Sequence, residues 1–178
     1  MGEIGTPSPV MLLIAAVSND PAALDWAREW ASSSFGELLM ESERFAFVET
    51  KYYEATMGEG LKKTFFAFRD LVSPGQLAAV KRMTNEVEAL YARQNETAHP
   101  RPLNLDPGYL TESKLVLAST KDHAHRIYLS DGIFAEVTLR YRNRQWQPWD
   151  WTYPDYRRED YQAFFTQCRE ALRKLRSS

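Results

Sequence analysis

The feature that most restricts the fold is a tight-turn signal between two apolar-rich runs. Ser130-Asp131-Gly132 separates residues 126–129 from residues 133–141, and Asp-Gly supplies the positive φ angles that a tight β-hairpin requires. In the second run apolar and mixed positions alternate, which is typical of a strand with one face on a core. The predicted core face carries Ile133, Ala135, Val137, Leu139 and Tyr141, and the other carries Phe134, Glu136, Thr138 and Arg140. This part of the chain therefore predicts an antiparallel hairpin.

The start of the chain predicts a buried strand followed by a helix. Residues 10–17 form a continuous apolar run, and Ser18-Asn19-Asp20-Pro21 follows it. Asp20 is the expected N-cap, with proline at the first helical position. Apolar residues then recur at helical spacing until Phe35-Gly36, where glycine can end the helix.

The middle of the chain predicts two strands and a helix. Residues 38–50 suggest a half-buried strand around Phe45 and Phe47, residues 51–60 a polar connection, and residues 61–72 a second strand. Ser73-Pro74-Gly75-Gln76 has the spacing of a capping box, which predicts a helix start. That helix has an apolar stripe, which consists of Leu77, Val80, Met83, Val87 and Leu90.

The next segment is rich in turn-forming residues. Residues 103–105 suggest a short strand, Asp106-Pro107-Gly108 a tight turn, and Thr111 the cap of a helix through residues 114–119. A short strand is expected around Trp146, and a terminal helix is expected over residues 161–175. Together these elements predict an α+β fold, a single-domain sandwich over residues 1–178 with a mixed or mostly antiparallel sheet and helices packed on it. Residues 1–9 and 176–178 are expected to fray.

Composition excludes several classes of function. The only cysteine is Cys168, so an intramolecular disulfide is impossible and a reducing compartment, the cytoplasm, is expected. The formal net charge is -2 and bases are interleaved with acids, so we expect no nucleic-acid partner. The longest apolar run is residues 10–17, far below the ~20 residues that span a bilayer, so we expect no membrane partner.

Four stretches, NLDPGY, TKDHAHRIYL, DGIFAEVTLRY and WTYPDY, resemble a bacterial family of domains of unknown function, DUF4416. The resemblance covers nearly the whole chain and implies a shared fold and surface, without carrying over any catalytic residue. Some members of that family are labelled GTP-binding proteins. This chain lacks the G-x-x-x-x-G-K-[ST] phosphate loop, and Thr120-Lys121-Asp122 is misspaced for a guanine-reading motif. We therefore predict no specific affinity for GTP.

His123 and His125 lie two residues apart, so on an extended segment both rings would face one side, as metal ligands often do. A third ligand would have to come from Asp106, Asp122 or Glu136. The alternative is one surface histidine and one that packs at a strand start. We favour this alternative and predict no metal site, and we leave any cofactor and any enzymatic reaction unassigned.

The segment between residues 114 and 126 concentrates cationic and hydrogen-bonding groups next to the predicted hairpin. Arginine and lysine there could bind a phosphate or a carboxylate, although cross-strand pairing with Glu136 explains the same residues. Our first hypothesis is a domain that binds a small anionic ligand, phosphorylated or carboxylated. Its predicted site consists of Asp106, Lys114, His123, His125, Arg126 and Glu136.

An aromatic segment near the end of the chain supports a second hypothesis. Its five large rings, interrupted by Pro148 and Pro154, are those of Trp146, Trp149, Trp151, Tyr153 and Tyr156. Such a loop either fills the edge of the core or presents a binding surface. The second hypothesis is therefore a non-catalytic interaction module, with a homodimer as one form of it.

Overall fold

One antiparallel sheet organises the molecule. The computed structural model describes residues 2–49 and 53–177. The strands follow the order β2-β4-β1-β5-β6-β8-β7 across the sheet, with β3 also pairing with β4 and β9 with β8. They are β1 (Met11–Ser18), β2 (Leu38–Glu41), β3 (Phe45–Ala46), β4 (Lys62–Phe68), β5 (Asn104–Leu110), β6 (Lys114–Ser119), β7 (Ile127–Ser130), β8 (Ile133–Arg142) and β9 (Gln145–Pro148).

Helices cover both faces of the sheet, which confirms the α+β class. They are α1 (Pro21–Phe35), the single turn α2 (Glu54–Met57), α3 (Leu77–Gln94) and α4 (Glu159–Ser177). On one face Leu12 and Ile14 of β1 contact α1 and α3, and on the other Met11 and Leu13 contact α4. Every residue of β1 is buried, because a central strand covered on both faces needs apolar side chains in both directions.

The hairpin of β7 and β8 forms as predicted, with Asp131 and Gly132 at positive φ. Its core face, however, changes along β8. Leu115 of β6 pairs with Leu139 and Val116 pairs with Val137, so Thr138 is an extra residue in a bulge. Residues 133–137 therefore place alternate apolar side chains towards α3, whereas Leu139 joins the core under α4. The expectation of a single core face was wrong.

Two elements between residues 103 and 119 differ from the prediction. Asp106-Pro107-Gly108 is part of β5, and residues 114–119 form β6 instead of a helix. Thr111 closes the hairpin between them, where its hydroxyl accepts hydrogen bonds from the amides of Ser113 and Lys114. Long-range pairing with β1 on one side and β8 on the other outweighs the local turn and cap preferences.

Helix α3 begins near the predicted residue but uses a different cap and a different stripe. The Ser73 hydroxyl accepts from the amide of Gly75, in a 3-10 turn that precedes the helix. Met83 and Leu90 are exposed, whereas the polar residues Lys81, Thr84 and Glu88 are buried. Three buried polar side chains on one helix indicate that this face of α3 covers something other than an apolar core.

Both ends of α1 form as predicted. Asp20 caps α1 by accepting from the Ala22 amide, and Gly36 ends that helix at positive φ, as expected. Residues 50–52, which fall in the predicted strand and connection, lie outside the described residues. Within the described part of the chain, no helix combines the length and the apolar character needed to cross a membrane.

Candidate functional site

A fork in the sheet creates the main pocket. Strand β5 pairs with β1 over Asn104–Leu110 but with β6 only over residues 108–110. Pro107 has no amide hydrogen to donate to a ladder, and before it the two strands separate. Helix α3 bridges this gap, because Leu77 and Ala78 pack over β6 while Val87 packs over the β1 and β5 side.

The pocket at this fork has a volume of about 510 Å³, within the range of small-molecule sites. It is lined by residues from β1, β4, α3, β5, β6 and β8, from the segments after β3, before α2 and before β5, and from the loops after β6 and β9. Its charged side chains include Lys63, Lys81, Arg101, Arg126, Asp106, Glu136 and Asp155, and its aromatic ones include Phe47, Tyr53, Tyr153 and Tyr156.

Lys63 lies in the wall on the α4 side of the sheet. Its Nζ donates to Asp155 Oδ2 at 2.6 Å, and both side chains are almost fully buried. Burial lowers the pKa of Lys63, but the charges of Asp155 and other nearby acids outweigh it, and the pKa is raised overall. The ammonium is therefore charged at neutral pH. Four rings surround it at 4.4 to 5.8 Å, those of Phe47, Phe65, Tyr156 and Tyr161.

Lys81 reaches the same pocket from α3, which covers the opposite face of the sheet. Its Nζ donates to the Leu105 carbonyl at 3.0 Å and to Asp106 Oδ1 at 3.1 Å. Asn104 Nδ2 donates to the other oxygen of Asp106 at 2.6 Å. Burial alone would raise the pKa of Asp106, but the charges of Lys81 and Lys63 outweigh it and lower that pKa. Asp106 is therefore a carboxylate that orients a buried cation.

Glu88 of α3 adds further hydrogen bonds beside Lys81 and Asp106. Glu88 accepts from the Leu105 amide at 2.7 Å and from Arg101 at 3.0 Å, and Arg101 also donates to Asn104. Burial raises the pKa of Glu88, although the nearby charges of Lys81 and Arg101 oppose that shift. These bonds connect α3, β5 and the segment before β5 beside the pocket.

Arg126 and Glu136 form the wall on the β7 and β8 side. Arg126 Nε donates to Glu136 Oε2 at 2.8 Å, and its terminal nitrogens donate to Ser119 Oγ, the Lys121 carbonyl and the Tyr153 hydroxyl at 2.6 to 2.9 Å. A guanidinium with four protein acceptors is held rigidly. It fixes the end of β6, the loop after it and the aromatic segment in one position.

Four of the six predicted site residues line this pocket: Asp106, His123, Arg126 and Glu136. His125 is just outside, where its Nε2 lies 3.1 Å from Glu136 Oε2. Lys114 lies at the other end of β6, opposite Arg140, so the structure does not bring it to the pocket. The binding of a ligand by these residues stays a prediction.

The two histidines do not converge on a common point. Their rings stack with centroids 5.8 Å apart and planes at 11°. Within residues 2–49 and 53–177, no group of three or more histidine, cysteine, aspartate or glutamate side chains could hold a metal ion.

The aromatic segment divides between core and surface. Trp146 and Tyr156 are only 4% and 3% exposed and belong to the core under α4. Trp151 and Tyr153 are 37% and 44% exposed, and Trp149 is partly buried. The segment therefore fills the edge of the core with Trp146 and Tyr156, and a binding role for its exposed rings stays a prediction.

Sequence reasoning missed Lys63, Lys81, Arg101 and Asp155. Lys63 follows the same strand face as Phe65 and Ala67, and Lys81 lies in the buried stripe of α3. A lysine at an apolar position of a periodic element is a signal that could have identified both.

Comparison with known proteins gave one match. The family described as Domain of unknown function (DUF4416) matches residues 8–172. No curated protein and no solved structure matches the chain. Because the match extends over most of the chain, this chain belongs to the DUF4416 family.

Proposed function

We propose that the pocket at the β5 and β6 fork binds a small molecule through an anionic group, a phosphate or a carboxylate. One observation carries this proposal: two buried lysines, from opposite faces of the sheet, line the same pocket, and their hydrogen bonds to the described residues do not use all of their ammonium hydrogens.

An ammonium group has three hydrogens to donate. Within the described residues, Lys63 Nζ donates one hydrogen bond and Lys81 Nζ donates two. The lysine side chains are 5% and 6% exposed, so bulk water reaches them poorly. A buried donor without an acceptor costs roughly 1–3 kcal/mol, and an oxygen-rich anion in the pocket would remove that cost.

The stability of the fold does not by itself explain why these charged groups are buried. A buried ion pair often contributes no more than apolar side chains of the same volume, because both charges lose their hydration. Here the pairs of Lys63 with Asp155, Lys81 with Asp106, and Arg126 with Glu136 involve residues that line one pocket. Such clustering of charged groups is typical of binding sites.

Titration calorimetry with matched compounds tests the proposal. The anions are inorganic phosphate, ribose 5-phosphate, phenyl phosphate and citrate, and ribose and phenol are the neutral controls. We expect saturable binding of at least one anion and none of its neutral counterpart. A hydrogen bond to a charged group contributes about 1.5–3 kcal/mol, so Lys81→Met should weaken binding roughly 10- to 100-fold.

Lys114→Met is the matched control, because it removes a lysine at the far end of β6. It should leave the affinity unchanged, and circular dichroism should show that both variants are folded. Absence of binding by every anion, or equal losses in the two variants, would contradict the proposal.

A second candidate function is a protein-interaction module, and it has its own supporting observation. Ile127, Tyr128 and Leu129 are exposed on β7, an edge strand of the sheet. An exposed apolar edge can pair with another strand, so we propose a homodimer as the form of this alternative. Sedimentation of the wild type and of Ile127→Lys decides it: a dimer that the variant dissociates supports it, and a wild-type monomer at high concentration refutes it.

We also propose a cytoplasmic location, which Cys168 supports. Its thiol is free and buried, and burial raises its pKa. A reducing compartment suits a protein whose single thiol has no disulfide role. A fluorescent fusion found outside the cytoplasm would contradict this.

A further inference from the structure

A column of stacked planar groups runs beside the pocket. The ring centroids of His123 and His125 are 5.8 Å apart, those of His125 and Trp151 5.4 Å, and those of Trp151 and Trp149 5.2 Å. The planes of successive rings differ by only 5° to 11°. The Arg140 guanidinium carbon lies 4.4 Å from the Trp149 ring centroid and ends the column.

Hydrogen bonds hold the middle of this column in place. His125 Nε2 lies within hydrogen-bond distance of Glu136, and Trp151 Nε1 donates to the Val137 carbonyl at 3.1 Å. The Thr152 hydroxyl accepts from the Trp149 amide and donates to the Thr138 carbonyl. These contacts attach the column to β8, so its rings are preorganised.

The two ends of the column differ. Arg140 covers the Trp149 end, whereas His123 is exposed at the other end and lines the pocket. His123 is the only member of the column in the pocket wall among the described residues. A planar group in the pocket could therefore extend the stack by one ring, which would cover the exposed imidazole.

We propose that the ligand of this pocket carries a planar aromatic or heteroaromatic ring, which stacks on His123, in addition to its anionic group. This inference rests on the proposed function, since it describes the same ligand. Tyr53 and Tyr153 also line the pocket, which suits a ring-bearing molecule. The ligand class is thus an aromatic phosphate or carboxylate, and sugar phosphates and aliphatic acids fit less well.

Stacking recognises the face of a ring and not its hydrogen-bonding edge, so it discriminates poorly between bases. Removing one stacking partner typically weakens binding by about tenfold. We therefore expect a clear preference for compounds with a ring and little difference between adenine and guanine. The second expectation agrees with the absence of a guanine-reading motif in the sequence.

Two matched pairs of compounds test the inference on the full chain. Phenyl phosphate is compared with cyclohexyl phosphate, and AMP with ribose 5-phosphate, by titration calorimetry. The aromatic member of at least one pair should bind the wild type about tenfold more tightly. His123→Ala should abolish this preference, and His123→Phe, which keeps a ring, should retain it. His123 is exposed, so both variants should fold.

The outcomes separate this inference from the proposed function. Equal affinity within both pairs, or a preference that His123→Ala leaves intact, overturns the stacking inference and leaves the anion site standing. If no anion binds at all, the proposed function fails and the inference fails with it. Loss of the preference in His123→Ala and its return in His123→Phe supports both.

Discussion

Gly108 is the residue at which β5 and β6 first pair, and substituting it tests how the fork is built. Its φ is not positive, so glycine is required here by space and not by a turn. A Cβ at this position would lie 2.7 Å from Leu117 Cδ2 and closer still to the Val116 carbonyl oxygen. Ordinary Cβ contacts begin near 3.4 Å, and the Val116 carbonyl is part of the β6 backbone, so Gly108→Ala requires the two strands to move apart.

Overpacking of this kind costs about 1–3 kcal/mol, and the carbonyl oxygen belongs to the backbone and cannot rotate away. We expect Gly108→Ala to lower the free energy of unfolding by about 2 kcal/mol, as measured by urea denaturation. Gly75→Ala is the control, because its nearest atom would be at 3.6 Å and its φ is not positive. A loss below about 0.5 kcal/mol for Gly108→Ala, within the range of ordinary surface substitutions, would refute the close approach of β6.

Two further predictions concern the walls of the pocket, and a third concerns the aromatic segment beside it. Lys63→Met leaves Asp155 buried without its partner and should cost about 3–5 kcal/mol of unfolding free energy, whereas the double variant with Asp155→Leu should recover most of it. The pKa of Asp106 is lowered in the folded state, so its stabilising contribution is present above about pH 4 and is lost as the pH falls through the folded pKa. The slope of stability against pH in that acidic window should therefore be shallower in Asp106→Asn. Thr152→Val removes a buried hydroxyl with two partners and should lower the free energy of unfolding by about 1–3 kcal/mol. The same substitution should change the tryptophan fluorescence.

Each of these three predictions has an outcome that would contradict it. A double variant no more stable than Lys63→Met alone would mean that the pair acts by more than mutual neutralisation. An unchanged acid slope in Asp106→Asn would show that other carboxylates set it. Fluorescence of Thr152→Val identical to that of the wild type would mean that the hydroxyl does not position the aromatic segment.

The parts of the fold that depend on local signals were predictable from the sequence. Asp131-Gly132 specified the β7 and β8 hairpin, and Asp20 specified the start of α1, because turn and cap chemistry acts over a few residues. The turn predicted at Asp106-Pro107-Gly108 was wrong, because pairing with β1 extends that segment. Periodicity alone does not separate a short buried strand from a helix, which explains the error at residues 114–119.

The candidate site was predictable only where its residues are near in sequence. Arg126 and Glu136 meet across one hairpin, so their proximity could be predicted from the sequence. Lys63 and Lys81 reach the pocket from β4 and α3, and their proximity depends on the strand order β4-β1-β5 and on the position of α3 over the fork. That information is long-range, and no local pattern in the sequence contains it.

The most direct test of the central claim is to observe the ammonium groups of the buried lysines by NMR during a titration with phenyl phosphate. Ammonium protons of Lys63 and Lys81 should exchange slowly with water, because both groups are buried and hydrogen-bonded, and variants Lys63→Met and Lys81→Met assign their signals. Both signals should shift together and saturably, while the backbone amide of Lys114 stays unchanged. Signals of Lys63 and Lys81 that do not move at concentrations where the compound binds would contradict it.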